Sequence, residues 1–200
     1  MQDQQRRGRA APLSPEERRD ALIVATVPLL HEHGRAVTTR LIAEAAGVAE
    51  GTIFRVFSSK DELVDAAVLK AFEPGRMLAD LRRIPLDQPL RDRAVALTRL
   101  MQKRFAGVFV LMRKLGMPGP PEPPPDDAER ARLIEETQHA MEDLFAPDRA
   151  DLRMPVADVV RLLRLLTFSG THPKFTGGDT LTAEQIVDTV LYGAVTRKES

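Results

Sequence analysis

The segment 38–57 carries two helical patterns that meet at a glycine. Leu41, Ile42, Ala45 and Ala46 recur at helical spacing, and Gly47 follows as the residue best able to take the positive φ of a helix C-terminus. Val48 then offers an apolar side chain to fill the angle between two helices. The second pattern starts at Ala49. Ile53 and Phe57, one turn apart, form its buried face, which leaves Glu50, Gly51, Thr52, Arg55 and Val56 outward. Two short helices joined in this way have the spacing by which a second helix enters a DNA groove. Thr38 and Thr39 precede the first helix, one as its N-cap and the other with a hydroxyl free to reach phosphate.

The run from Thr39 to Ala46, the Ala46-Gly47-Val48 turn, the stretch from Glu50 to Phe57 and the Ser58-Ser59-Lys60-Asp61-Glu62-Leu63 sequence together resemble the amino-terminal domain of TetR-type transcriptional repressors. The likeness extends from Glu16 to about Lys70, with glycines, threonine and lysine in register. The rest of the chain has only a pattern that fits the family's helical regulatory domain. The resemblance implies an all-α protein: a three-helix helix-turn-helix DNA-binding domain plus a larger helical ligand-binding and dimerisation domain. It implies that Thr38, Thr39, Arg40, Ala49, Glu50, Gly51, Thr52, Phe54, Arg55, Val56 and Lys60 face a double-stranded DNA operator.

Two positions depart from the family pattern. Phe54 stands where a tyrosine is usual and Val56 where a histidine or tyrosine is usual, and neither can donate a hydrogen bond to phosphate. Arg55 is the substitute, since a guanidinium reaches phosphate or the O6/N7 edge of guanine as a fork. Thr52 suits a phosphate or a thymine methyl, and Gly51 allows close approach. Glu50 has two roles open to it, accepting from a cytosine amino group or compensating the helix dipole. Arg40 is either a DNA contact or a solvated arginine.

Capping chemistry sets the neighbouring helices. Ser14-Pro15-Glu16-Glu17 is a capping box with proline at the first helical position, so a helix starts near Pro15 and runs through Ala21, Leu22, Ala25 and Leu29 to Gly34, bent at Pro28. Ser59-Lys60-Asp61-Glu62 is a second box, in which Glu62 returns to Ser59. Lys60 then lies at a helix N-terminus that favours phosphate. That helix runs to about Phe72 and stops at Pro74-Gly75, where the DNA-binding domain (14–74, helix-turn-helix motif 38–57) gives way to a regulatory domain over 75–200. His31 and His33 lack a third ligand and face different ways, so they serve a helix C-terminus rather than a metal.

Beyond the boundary, Asp87-Gln88-Pro89 starts a helix with Leu97, Met101, Phe105, Phe109 and Met112 near one face. Prolines 118, 120, 121, 123, 124 and 125 make an extended loop, and Asp126 or Asp127 restarts a helix through Leu133, Ile134, Met141, Leu144 and Phe145. Residues 156–169 are apolar on more than one side, and Thr182 to Gln185 caps a last helix over 183–197. In the family the final two helices pair into a four-helix dimer interface, and these two segments resemble them in place and apolarity.

Composition narrows the function classes. The 200 residues are 43% hydrophobic, enough for a buried core, and hold no cysteine, which removes disulfides and thiolate zinc sites and fits a cytoplasmic protein. Net charge is zero, so basic character is local rather than general. Arg6, Arg7 and Arg9 form a basic arm in residues 1–13 that suits either phosphates and a minor groove or a disordered solubilising tail. No run reaches membrane-span length, no cofactor motif occurs, and no nucleophile elbow, phosphate loop or metal cluster supports an enzyme.

The reading is a ligand-responsive repressor that binds a palindromic operator as a dimer. The rival is a dimeric ligand-sensing or protein-interaction module whose DNA head has weakened, and an activator is a third outcome. Met101, Phe105, Phe109, Met112, Met141, Phe145 and Phe168 form either the pocket for a small-molecule effector or plain core. His139 and His172 are either polar handles for that effector or surface residues.

Overall fold

The computed structural model describes residues 14–122 and 127–193. The basic arm 1–13, the Asp126 helix start and positions 194–197 of the expected last helix lie outside the described residues. The described residues contain helices and no strands. The chain divides between Ala71 and Phe72 into two compact units.

The first unit has four α-helices: α1 (Pro15–His33), α2 (Thr39–Ala46), α3 (Glu50–Ile53) and α4 (Lys60–Ala71). The capping box at Ser14 forms in full, with the Glu17 amide donating to Ser14 Oγ at 3.1 Å and the Ser14 amide donating to Glu17 at 2.7 Å. α1 packs against both α2 and α4. Its buried residues are Leu22, Thr26 and Leu30, each one turn from the next. The helix runs from Pro15 to a stop at Gly34 as expected; of the residues named along it, Leu22 is buried, Ala21 is exposed, and Ala25 and Leu29 are half-buried. A threonine can sit in that stripe because its hydroxyl donates to the Leu22 carbonyl at 2.7 Å, leaving no unmet polar group. Val37, Ile42, Ile53, Phe57, Leu63, Val64 and Ala67 complete the core.

The second unit is built on α6 (Leu90–Leu115), which packs against α8 (Val156–Thr171) and α10 (Ala183–Tyr192). α5 (Gly75–Leu81) and α7 (Ala128–Asp143) cover another side, and α9 (Pro173–Thr176) is a single turn after α8. The sequence reading missed α5. Pro74 ends one helix but also stands as N-cap of the next, and Met77, Leu78 and Leu81 bury its face. On α7 the buried residues are Thr137 and Met141, while Ile134 is 50% exposed. Gly170 accepts the Leu181 amide at its carbonyl, 3.0 Å away, and a Cβ on it would stand 3.0 Å from the Leu181 side chain. Only glycine lets α8 approach the segment before α10 so closely.

Arg93 is the one charged residue among the buried described residues. Its guanidinium donates to the carbonyls of Leu144 and Leu86, each at 2.8 Å, to the Gln88 carbonyl, and to the Asp148 carboxylate. One side chain of α6 thus fixes the loop 86–88 and the stretch 144–148. Around it, Arg91 grips Asp188 in a fork at 2.7 and 2.9 Å and Gln102 donates to the Leu181 carbonyl at 2.7 Å, tying α6 to α10 and its approach. Arg93→Met should lower unfolding stability by about 3 kcal/mol, the range for breaking a buried pair and orphaning its acceptors, read from the denaturant midpoint of the full chain. Arg91→Met, at an exposed and solvent-screened pair, should move that midpoint far less.

Candidate nucleic-acid interface

The turn between α2 and α3 forms as its residues demand. Thr38 caps α2, its Oγ1 accepting the Leu41 amide at 3.3 Å. Gly47 takes the left-handed conformation, φ 66°, which lets its own amide reach the Ala43 and Glu44 carbonyls and the Val48 amide reach Ala43 at 3.0 Å. Ala49 then opens α3, of which Ile53 is fully buried. α3 is shorter than its sequence pattern, one α-turn followed by tighter bonds from Arg55 to Thr52 and from Val56 to Ile53. The Phe57 amide still bonds the Ile53 carbonyl at 2.9 Å, so Ile53 and Phe57 share the inner face. Gly51, Phe54 and Arg55 are exposed, and Thr52 and Val56 are half-buried.

Two expected donors are already engaged. The Thr39 hydroxyl, read as free for phosphate, donates to the Glu50 carboxylate and ties the starts of α2 and α3 together. Glu50 therefore has a third role, one that neither alternative considered from the sequence foresaw. Lys60 Nζ donates to the Arg35 carbonyl at 3.4 Å. Glu62 does not return to Ser59: the Ser59 hydroxyl accepts the Glu62 amide at 3.1 Å, but the Glu62 carboxylate goes one residue further back, to the Ser58 amide and hydroxyl, each at 2.8 Å. Arg40 and Arg55 are exposed and make no hydrogen bond or ion pair with the described residues.

Arg19 was missed. Its Nη1 donates to the Glu62 carboxylate at 3.1 Å and to the Val56 carbonyl at 3.4 Å, and its guanidinium carbon lies 4.2 Å from the centre of the Phe57 ring. It holds the end of the α3 segment from α1. The Ser58 amide and hydroxyl, then Arg19, hold the Glu62 carboxyl below its ordinary value.

The apolar residues read as an effector pocket separate into groups, all in the second unit. Met101, Phe105 and Met141 come together in a groove of about 190 Å³ that also meets Phe72, Met77 and Ile134. Phe105 also joins Phe109 and Phe168 in a ring cluster, with centroid separations of 5.1 to 6.3 Å. His172 extends that cluster, 4.4 Å from Phe109, while its Nδ1 accepts the Lys174 amide. Phe145 is fully buried in the core. Met112 is half-buried and is not among the residues of the groove. His139 is exposed beside a different cavity, between Arg82 and Asp143.

Comparison with known proteins agrees with this geometry. Residues 22–67 match the profile of bacterial regulatory proteins of the tetR family. The HTH-type transcriptional repressor KstR of Rhodococcus jostii (strain RHA1) is 29% identical over 164 residues, 76% of this chain and 68% of that protein. A transcriptional regulator of the TetR/AcrR family from Thermobifida fusca has a similar structure, with TM-score 0.60 and 20% identity over 90% of this chain and 99% of its own. The fatty acid degradation regulator FadR from Bacillus halodurans gives TM-score 0.54 and 18% identity over 94% of this chain and 100% of its own.

Two measurements follow from the site. A Cβ on Gly51 would meet nothing within 4 Å. Gly51→Ala should therefore raise head stability by up to about 1 kcal/mol, yet weaken duplex binding about tenfold if DNA lies against this position; thermal melts and fluorescence anisotropy read the two effects separately. For Glu62, a depressed carboxyl contributes stability that is complete above the unfolded value, about pH 4.3, and is lost as pH falls through the lowered folded value. The thermal midpoint of Glu62→Gln should lie below that of the unaltered chain at pH 7, with the gap closing as pH drops below about 4.

Proposed function

We propose that this chain, which belongs to the TetR family of DNA-binding transcriptional regulators, is an effector-responsive repressor that binds a palindromic operator as a homodimer. The observation that carries the reading is the reading segment itself: α3 held at both ends, with Arg55 exposed and unpaired on its outer side. A single such head reads only a few base pairs. A two-fold pair doubles the reading, and the operator then mirrors the protein's symmetry.

The dimer face is proposed on α8 and α10, which pack on each other and leave apolar residues outward. Leu162, Leu165 and Phe168 of α8 are 42, 53 and 40% exposed, and Tyr192 of α10 is 61% exposed. Large apolar residues grouped on two adjacent helices suit burial against a second copy. No helix among the described residues is long and apolar enough to cross a membrane. The cytoplasm is the compartment proposed with that function, since an operator lies there. The effector role falls to the groove around Met101, Phe105 and Met141, and repression follows the character of the related repressor.

A specific observation supports the rival reading of a weakened head. Phe54 and Val56 cannot donate, and Thr39 and Lys60 already have partners, so Arg40 and Arg55 are the unengaged cations of the segment 38–60 among the described residues. Selection of bound duplexes from a random pool separates the two. The full chain should enrich a palindrome, with affinity falling linearly in the logarithm of salt. Arg55→Ala should lose about 1–3 kcal/mol at one base pair of each half-site. No enrichment at any salt, from a folded dimer, would establish the weakened head instead.

A further inference from the structure

Several arginines of the second unit are met by carboxylates: Arg82 by Glu136, Arg91 by Asp188, Arg93 by Asp148 and Arg99 by Glu184. Arg104, which shares α6 with three of these, has no carboxylate partner among the described residues. It is half-buried at the groove of about 190 Å³, and its guanidinium donates only to two neutral groups, the Phe72 carbonyl at 2.6 Å and the Glu73 carbonyl at 3.0 Å. Burial, and then like charge from Arg130, push its pKa down, which is the sign of a cation without a compensating anion. Arg164, on the same groove, has the Gln138 side-chain oxygen at 3.3 Å and likewise no carboxylate. Among the described residues, no Asp or Glu lines the groove. The hydroxyl of Thr137 is spent on the Leu133 carbonyl and the Gln138 amide on Glu142, so neither competes for a ligand's charge. The remaining walls are thioethers and apolar side chains from Phe72, Met77, Met101, Phe105, Ile134 and Met141.

We infer that this groove takes an amphipath with a single anionic head and an unbranched apolar body, the head meeting Arg104 and Arg164 and the body lying against Met101, Phe105 and Met141. The inference rests on the effector reading above and names the chemical class of the effector. An apolar wall with two cations and no anion is complementary to a carboxylate or phosphate on a hydrocarbon chain and to little else. Phe72 and Glu73 are the first residues after α4, the last helix of the first unit, and their carbonyls are what Arg104 holds when no anion is there. Two carbonyls leave N–H donors of the guanidinium over for an anion, to which a charge-assisted bond is the stronger one.

The test compares octanoate, octyl phosphate and the neutral octan-1-ol by titration calorimetry on the full chain at pH 7.5, without DNA. At least one anion should bind ten times or more tighter than the alcohol, and the stronger of the two identifies the head group. Arg104→Gln should remove that preference while leaving the alcohol's affinity within about twofold; Arg104→Lys, which keeps the charge, should retain part of it, and Phe105→Ala should weaken all three. Equal binding of anion and alcohol, or no binding of any of them to a folded chain, overturns the assignment. The unaltered protein alone decides the comparison should Arg104→Gln fail to fold. Failure here with intact operator binding would sink only the class of effector, whereas absence of operator binding would sink the regulator reading by its own experiment.

Discussion

The guanidinium of Arg19 reaches three parts of the reading segment's far end at once: the Val56 carbonyl, the Phe57 ring and the Glu62 carboxylate. None of these is strong alone. An exposed ion pair contributes about 0–1 kcal/mol and a cation over an aromatic face about 0.5–1 kcal/mol. Their value is geometric, because α3 is a single turn and cannot hold its own direction. Thr39 and Glu50 pin its start, Arg19 pins its end, and Ile53 and Phe57 anchor it from beneath. Every outward residue of the segment takes its position from those three restraints.

The second unit treats charge differently, and two arginines of α6 about three turns apart illustrate it. Arg93 is fully surrounded and fully satisfied, with four acceptors including a carboxylate. Arg104 is less buried and has only two carbonyls. The first arrangement is a fixed joint between segments. The second has unused electrostatic capacity, which is why the two residues, alike in sequence, differ in what they suit.

Much of the local structure was legible from neighbours in the chain. The capping boxes at Ser14 and Thr182 formed because each needs only residues three apart, and Gly47 took positive φ because it follows directly from the end of an apolar helical run. Ile53 and Phe57 were readable as a buried pair by the same local rule. What depended on distant partners was not. Arg19 lies more than thirty residues from Val56 and Glu62, and nothing in its own surroundings marks it out among the arginines of α1. The inner face of α1 was not assigned from sequence, and a threonine whose hydroxyl is satisfied within its own helix occupies its centre. The seven apolar residues grouped from sequence as one pocket are near-identical in composition and period, and only packing divides them among groove, ring cluster and core.

Phe54 is 53% exposed on the outer side of the reading segment, a ring where a hydroxyl is usual in the family. A surface that meets a partner through apolar area rather than through charge is governed by a different variable. Counterion release makes an interface sensitive to ionic strength, whereas dehydration of a ring carries a negative heat capacity and strengthens on warming from the cold. Grip on a nucleic acid through such a head would shift its dependence from the salt of the medium toward its temperature.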